Sequence, residues 1–283
     1  MASLLPYPAG FGGEPFIVAH RGASHVAPEN TLAAFALAWK MGADAIEGDF
    51  YLTRDGHVVA IHDKTTKRTA GVDRRVADCT LEELKQLDVG SWKASEYRGE
   101  RIPTLAEVLA TVPAGKKIFI EIKCGPEVVP ALRQVLAASS LRPGQTVVIS
   151  FNAEVILETK RRIPDVAAFW LTDYEQDKAT GTWSPTHDDV LASLRRTTAD
   201  GLGSQANEQM LTVGFVQRLR SAGFQFHVWT VDDAAMAVRF RRLGVDSITT
   251  NRPDFIRRAL LTAGVDDRPN LPGGRSPAKG GRE

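Results

Sequence analysis

Between His20 and Asp63 the chain carries His20-Arg21-Gly22, Pro28-Glu29-Asn30-Thr31, Glu47-Gly48-Asp49 and His62-Asp63. Histidines move protons near neutral pH. An arginine can fork onto phosphate oxygens, and a lysine adds a point charge. Carboxylates two apart on a strand point to one side and can share a cation. These are the parts needed to hold a divalent metal, clamp a phosphate and transfer a proton. The fold must bring them together.

Short apolar runs alternate with helical patterns over most of the chain. Eight runs read as strands: Phe16–His20, Ala45–Tyr51, Lys117–Lys123, Thr146–Ser150, Val166–Leu171, Gly201–Ser204, Phe224–Thr230 and Val245–Thr249. Helical patterns sit at Asn30–Met41, Pro126–Ala138, Glu154–Arg162, Asp188–Arg196, Glu208–Ala222, Asp233–Leu243 and Pro253–Ala263. Such alternation argues for parallel strands joined by crossover helices, and eight repeats of it for an α/β (β/α)8 TIM barrel. An open doubly wound sheet is the alternative, weakened by the lack of a Gly-x-Gly-x-x-Gly opening a helix.

Two stretches break the rhythm. Thr53–Pro103 holds a short strand at His57–Ile61, a basic loop and a helix near Thr80–Leu87, where Thr80 is an N-cap with Glu83 behind it. It reads as an excursion from the second strand before an outer helix at Thr104–Val112. Thr172–His187 is an irregular loop after the fifth strand. The sequence therefore implies one domain over 14–264 with a small insertion at about 54–103, and a Pro/Gly-rich disordered tail at 265–283.

Functional side chains of such a barrel gather at the carboxyl ends of its strands. His20 ends the first strand, and Glu47 and Asp49 lie near the end of the second. Glu121 and Lys123 share a face at the end of the third. A Glu-x-Asp pair alone would be a solvated acidic face. Parallel strands are covered on both sides, however, and three converging acids repel each other without a cation. A metal site of Glu47, Asp49 and Glu121 is the better account, and oxygen donors in this number suit Mg²⁺ or Ca²⁺ rather than zinc.

His20 and His62 each follow an apolar strand and are the candidate proton-transfer groups. His25, His57, His187 and His227 are expected to be structural or superficial. Arg21 and Lys123 either bind phosphate or pair with the acids. Asn30 reads as a helix start, and Glu29 as a structural partner for a base. Trp229, ending the seventh strand, either walls a pocket or packs in the core. Cys124 is expected to be a buried, unreactive thiol.

With 35 basic and 34 acidic side chains, the chain has no global field to favour nucleic acid or an anionic membrane. Two isolated cysteines make neither a disulfide framework nor a zinc site. MASLLPYPAG lacks the basic and apolar regions of a signal peptide, and no run is long enough to span a bilayer. A soluble, cytoplasmic enzyme is the expectation.

The ordered motifs resemble the glycerophosphodiester phosphodiesterase family. They are His20-Arg21-Gly22, Pro28-Glu29-Asn30-Thr31, Gly42-Ala43-Asp44 leading to Glu47-x-Asp49, Thr53-x-Asp55-Gly56 and His62-Asp63. They continue with Ile102-Pro103-Thr104-Leu105, Glu121-Ile122-Lys123, Val228-Trp229-Thr230-Val231, Gly244-Val245-Asp246 and Arg252-Pro253. The resemblance runs from about Ile17 to Pro253. It implies a (β/α)8 barrel with an insertion after the second strand, and a divalent cation, Mg²⁺ or Ca²⁺, on Glu47, Asp49 and Glu121. It further implies His20 and His62 as the acid–base pair, and Arg21 and Lys123 on the phosphate of a small-molecule glycerophosphodiester. The products would be sn-glycerol 3-phosphate and an alcohol. Gly48 stands where a larger apolar residue is usual and Asn251 where an acid is common. Neither is expected to touch the chemistry. Competing expectations are a lysophospholipase D or sphingomyelinase D-like enzyme on the same barrel, a non-catalytic phosphate-binding barrel, and a sugar-phosphate isomerase.

Overall fold

A computed structural model describes residues 14–264 of the chain. The N-terminal segment and the tail expected to be disordered lie outside the described residues. Eleven strands are present among the described residues: β1 (Phe16–Ala19), β2 (Ala45–Leu52), β3 (Val58–Ala60), β4 (Lys117–Ile122), β5 (Thr146–Ser150), β6 (Ala167–Thr172), β7 (Glu175–Gln176), β8 (Trp183–Ser184), β9 (Gly201–Gln205), β10 (Gln225–Trp229) and β11 (Ser247–Thr250). All but β3, β7 and β8 pair in parallel, in the order β1-β11-β10-β9-β6-β5-β4-β2. Pairing of β1 with both β11 and β2 closes the ring into an eight-stranded barrel. The expected architecture is the observed one.

Sequence dictates which face each strand buries. In β2 and β4 the alternation separates two environments. Ile46 and Phe50, with Ile118, Ile120 and Ile122, pack outward against Phe35 and Ala38 of helix Leu32–Lys40 and Leu132 of helix Val129–Ala138. The alternate positions Ala45 and Phe119 join Val18, Val147, Ile149, Phe169 and Leu171 inside the barrel. Continuing that inner row toward the strand ends reaches Glu47, Asp49, Glu121 and Lys123. The register pairs Asp49 with Glu121 directly.

The excursion is present and has its own core of Val59, Ile61, Val76, Cys79, Leu84, Leu87, Val89 and Ile102. β3 lies antiparallel to the end of β2, with Phe50 opposite Ala60. His62 follows β3 directly and so is delivered to the mouth by the insertion. Thr80 and Glu83 form the expected capping box, and Thr104 and Glu107 form a second. Two expectations need correction. The pattern at Glu208–Ala222 yields a helix only over Val213–Ser221, because the Thr212 hydroxyl caps it by accepting from Phe215. The loop Thr172–His187 contains the small β7–β8 hairpin. No described helix is long and apolar enough to cross a membrane.

His227 lies inside the barrel, 5% exposed, not on the surface. Its ring stacks on Phe169 at 4.3 Å, Nδ1 meets the Ser247 hydroxyl at 2.7 Å, and Nε2 has no partner. Burial pushes its pKa from 6.5 down to about 4. A depressed folded-state pKa means that the unfolded chain takes up the proton first. Stability held above the unfolded pKa is therefore lost as pH falls from about 6.5 toward about 4, by roughly 3 kcal/mol. In His227→Leu/Ser247→Ala, the Tm should fall less steeply over that interval than in the parent. Equal slopes by calorimetry would refute the assignment.

Candidate active site

The site begins in an unusual turn after β1. Arg21 and Gly22 both take left-handed backbone, with φ of 54° and 80°. A Cβ on Gly22 would lie 2.6 Å from the Ala34 carbonyl carbon, so only glycine fits. The turn aims the Arg21 amide at Glu47 Oε2, 2.9 Å away. It also puts Arg21 Nε 3.1 Å from Asp49 Oδ2 and Nη1 3.1 Å from Glu29 Oε1. Arg21 is thus engaged with acids, as is Lys123, which lies 2.7 Å from Glu121 Oε1 and 3.6 Å from Asp49 Oδ1.

Asn30 does not start the helix. Thr31 is the N-cap, its hydroxyl accepting from the Ala34 amide. Asn30 is instead buried in left-handed backbone, which Asn tolerates better than most residues. Its amide clamps Asp49 at two points: Nδ2 donates to Oδ2 at 2.8 Å, and Oδ1 accepts from the Asp49 amide at 3.0 Å. Gly48 makes room for this. A Cβ there would approach Phe35 Cζ to 3.1 Å and Asn30 Oδ1 to 3.3 Å. The small residue at 48 therefore does bear on the site, contrary to expectation.

Glu47, Asp49 and Glu121 each offer a carboxylate oxygen within 4.8 Å of the others. Asp49 is 0% exposed and Glu121 8%. Glu47 Oε1 and Asp49 Oδ1 are buried without a hydrogen-bond partner. Burial and the charges of Asp49 and Glu121 raise the Glu47 pKa well above the carboxylate range. Burial and Asp49 likewise push Glu121 up to about 7, although Lys123 opposes this. Burial would raise Asp49 too, but Arg21 and Lys123 outweigh it and hold the carboxyl below its ordinary value. Converging all-oxygen donors with orphaned buried lone pairs fit a hard divalent cation.

The two histidines are held differently. His62 Nδ1 donates to Asp63 Oδ1 at 2.7 Å. Asp63 is held in turn by Arg68 Nε at 2.7 Å, and the same guanidinium grips both oxygens of Glu29 at 2.7 and 2.9 Å. His20 Nδ1 lies 2.8 Å from Asn251 Oδ1. Asn251 is oriented by Asp232, which accepts from its Nδ2 at 2.5 Å and from its backbone amide at 2.8 Å. With Nδ2 so committed, Oδ1 faces the imidazole as acceptor, and Nδ1 carries the proton. Burial, then the Arg21 charge, lowers the His20 pKa, so His20 is neutral. In both rings Nε2 is the nitrogen left for chemistry. Asn251, expected to stand clear of the site, is a direct partner of His20.

Trp229 is half-buried and takes the packing role of the two left open for it. It packs against the inner barrel cluster and meets Phe151 edge-on at 5.4 Å. Phe151 is 41% exposed, and Lys123 Nζ lies 5.9 Å from its ring. Cys124 is half-buried with its thiol pushed up to about 11 by burial, and no base activates it. His187 stacks on Phe215 and bonds the Met210 carbonyl, as befits a structural residue. Motif spacing did not mark Asp232, Arg68 or Phe151. For Arg68 the basic run after His62-Asp63 was the available signal.

The comparisons agree with this geometry. The model of the glycerophosphoryl diester phosphodiesterase family matches residues 20–255. A glycerophosphodiester phosphodiesterase of Caldanaerobacter subterraneus subsp. tengcongensis is 36% identical over 254 residues, covering 88% of this chain and 98% of its own. One from Bacillus subtilis is 31% identical over 258 residues, with 85% of each chain covered. Among solved structures, an Oleispira antarctica phosphodiesterase in complex with the product sn-glycerol-3-phosphate superposes with a TM-score of 0.78 at 29% identity, over 89% of this chain and 98% of that one. The Thermotoga maritima glycerophosphodiester phosphodiesterase gives 0.68 at 26% identity, over 86% and 97%. The closed barrel, the clustered acids and the match along nearly the whole described chain lead to one conclusion: the chain belongs to the glycerophosphoryl diester phosphodiesterase family.

Proposed function

We propose that the chain hydrolyses glycerophosphodiesters to sn-glycerol 3-phosphate and an alcohol, with His20 as general base and His62 as general acid. The catalytic domain is residues 14–264, with the insertion at about 54–103. The observation that carries the assignment is the pair of imidazoles, each fixed through Nδ1, beside one buried three-carboxylate cluster. Both rings feel the charge of Asp49. The product bound to the Oleispira antarctica relative supports the same chemistry.

Glu47, Asp49 and Glu121 would hold Mg²⁺ or Ca²⁺, which when bound supplies positive charge against the phosphoryl oxygens. Arg21 and Lys123 add theirs as the phosphorus gains an oxygen. His20, neutral and fixed, takes the proton of the nucleophile at Nε2. The nucleophile is water, or the neighbouring glycerol hydroxyl in a cyclising first step. The bond from phosphorus to the departing oxygen breaks, and that oxygen receives the proton from His62 Nε2. Asp63 on Nδ1 stabilises the imidazolium that donates it. Trp229 and Phe151 wall one side of the substrate space.

An acyl-chain substrate is less well served. Tyr174 is buried with its hydroxyl 3.3 Å from Ser204, and Trp183 packs on the core. Both aromatics of the loop Thr172–His187 are thus already packed and offer no apolar entry.

Glycerol 3-phosphate release from glycerophosphocholine should require added Mg²⁺ or Ca²⁺ and stop with EDTA. His20→Ala and His62→Ala should each lose about 10²–10⁴-fold in kcat. Unchanged turnover in both variants would remove the acid–base assignment. At saturating cation, Asn251→Asp should move the acid limb of kcat/KM to higher pH, because an anion on Nδ1 stabilises protonated His20. An unmoved limb would exclude His20 as the base.

Cation binding should raise the Tm, and Asp49→Asn should abolish the rise. Protons compete for Glu121, whose pKa is about 7. The cation-induced rise should therefore shrink as pH is lowered from about 8 to about 6. A rise independent of pH, or one that survives in Asp49→Asn, would place the ion elsewhere.

A further inference from the structure

Beside the carboxylate cluster opens a cavity of about 680 Å³, walled by Tyr51, His62, Asp63 and a run of basic side chains. The bases are Lys64, Lys67, Arg68 and Lys123, against Asp63 as the one carboxylate of the lining. Two of them are already committed. Arg68 is spent on Glu29 and Asp63, and Lys123 on Glu121. The other two are not. Lys64 is exposed and has no carboxylate partner among the described residues. Lys67 reaches Asp73 only at 3.7 Å, with both side chains largely exposed, a pairing worth little. A chain with a balance of +1 thus places one unpaired and one weakly paired ammonium group at one cavity.

The position of that cavity matters as much as its charge. Neither His20 nor any of the three clustered carboxylates lines it, while His62 and Lys123 do. It therefore continues outward from the His62 side of the site. The volume lies in the range of small-molecule pockets and exceeds the needs of a two-carbon amino alcohol. His20, by contrast, is half-buried, held by Asn251, and does not line the cavity. With His62 as the acid for the departing oxygen, the departing alcohol extends toward this cavity.

We propose that the alcohol released by this enzyme carries a second anionic group, a phosphate or a carboxylate, held by Lys64 and Lys67 in the cavity beside His62. The proposal rests on the phosphodiesterase assignment above and narrows its substrate class. The two lysines hold the departing alcohol and take no part in bond cleavage. A cationic choline or ethanolamine head group meets like charge there, and a neutral polyol meets none. The preference belongs in KM, since the interaction is the same before and during cleavage.

The test compares glycerophosphoglycerol with the same diester phosphorylated on its terminal hydroxyl, and uses glycerophosphocholine as the cationic control. At low salt the phosphorylated diester should have a kcat/KM about tenfold higher than its neutral parent, mostly through KM, with the margin shrinking at high salt. In Lys64→Gln/Lys67→Gln the margin should collapse, while kcat on glycerophosphoglycerol stays within about twofold. Both side chains are exposed, and Lys64→Gln alone should take away part of the margin. Turnover of all three diesters without preference overturns the proposal and leaves the phosphodiesterase assignment standing. A preference that survives the double substitution overturns it too. If none of the three is cleaved, the phosphodiesterase assignment falls and the proposal falls with it.

Discussion

Like charge in a confined, water-poor space is the interaction on which the rest of this structure depends. Three carboxylates converge at the mouth of the barrel, and one of them is wholly buried. Unpaired, they would protonate or push the strands apart. The chain answers with fixed positive groups, Arg21 from the turn after β1 and Lys123 from the end of β4. It adds neutral dipoles, the Arg21 amide on Glu47 and the Asn30 amide on Asp49. Even so, Glu47 and Glu121 stay above the normal carboxylate range, and two buried oxygens keep unused lone pairs. That residual imbalance separates a cation site from a finished salt-bridge network. Burying it costs stability, which the apolar layers around β2 and β4 must supply.

The frame was legible because periodicity is a direct consequence of burial. All eight barrel strands could be found from short apolar runs alternating with helical patterns, such as Thr146–Ser150, which is buried throughout. The inward direction of Glu47, Asp49 and Glu121 followed from the two-residue repeat and needed no coordinates. What could not be read were side-chain partnerships across long separations. Asn30 looked like a cap because Asn-Thr precedes a helix. Only the fold shows that Thr31 takes that job and frees Asn30 for Asp49. Asn251 lies far along the sequence from His20, and nothing local marks it as that ring's partner. Gly48 was legible as a departure but not as a cause, since the space it leaves is defined by Phe35 and Asn30 from another element.

The unequal partners of the two histidines give the site its direction. An amide oxygen on His20 orients the ring without adding a negative charge, so burial and Arg21 keep the imidazole neutral. A carboxylate on His62 orients that ring and sets a negative charge beside it. Asp63 can do this because Arg68, despite the burial that opposes it, holds the Asp63 carboxyl ionised. The same arginine ties Asp63 to Glu29, and Glu29 to Arg21. Four charged side chains thus couple the orientation of His62 to that of the turn bearing His20.

This coupling explains why the insertion belongs to the site and is not an ornament on the barrel. The eight strands alone supply His20, the three carboxylates, Lys123 and Trp229, which are rigidly placed by parallel pairing. The other histidine on those strands, His227, is already stacked on Phe169 and bonded to Ser247 inside the barrel. The excursion brings His62, Asp63 and Arg68 in on one short segment after β3, and its own small core fixes that segment against the end of β2. The same segment carries Lys64 and Lys67. The proposed acid and the groups proposed to hold the departing alcohol therefore sit on one segment. On the proposed roles, a change at Lys64 or Lys67 would alter what leaves while Glu47, Asp49 and Glu121 keep their places on the strands. On this division, selectivity for the alcohol can vary while the carboxylate cluster stays under the strict geometric demand of the closed sheet.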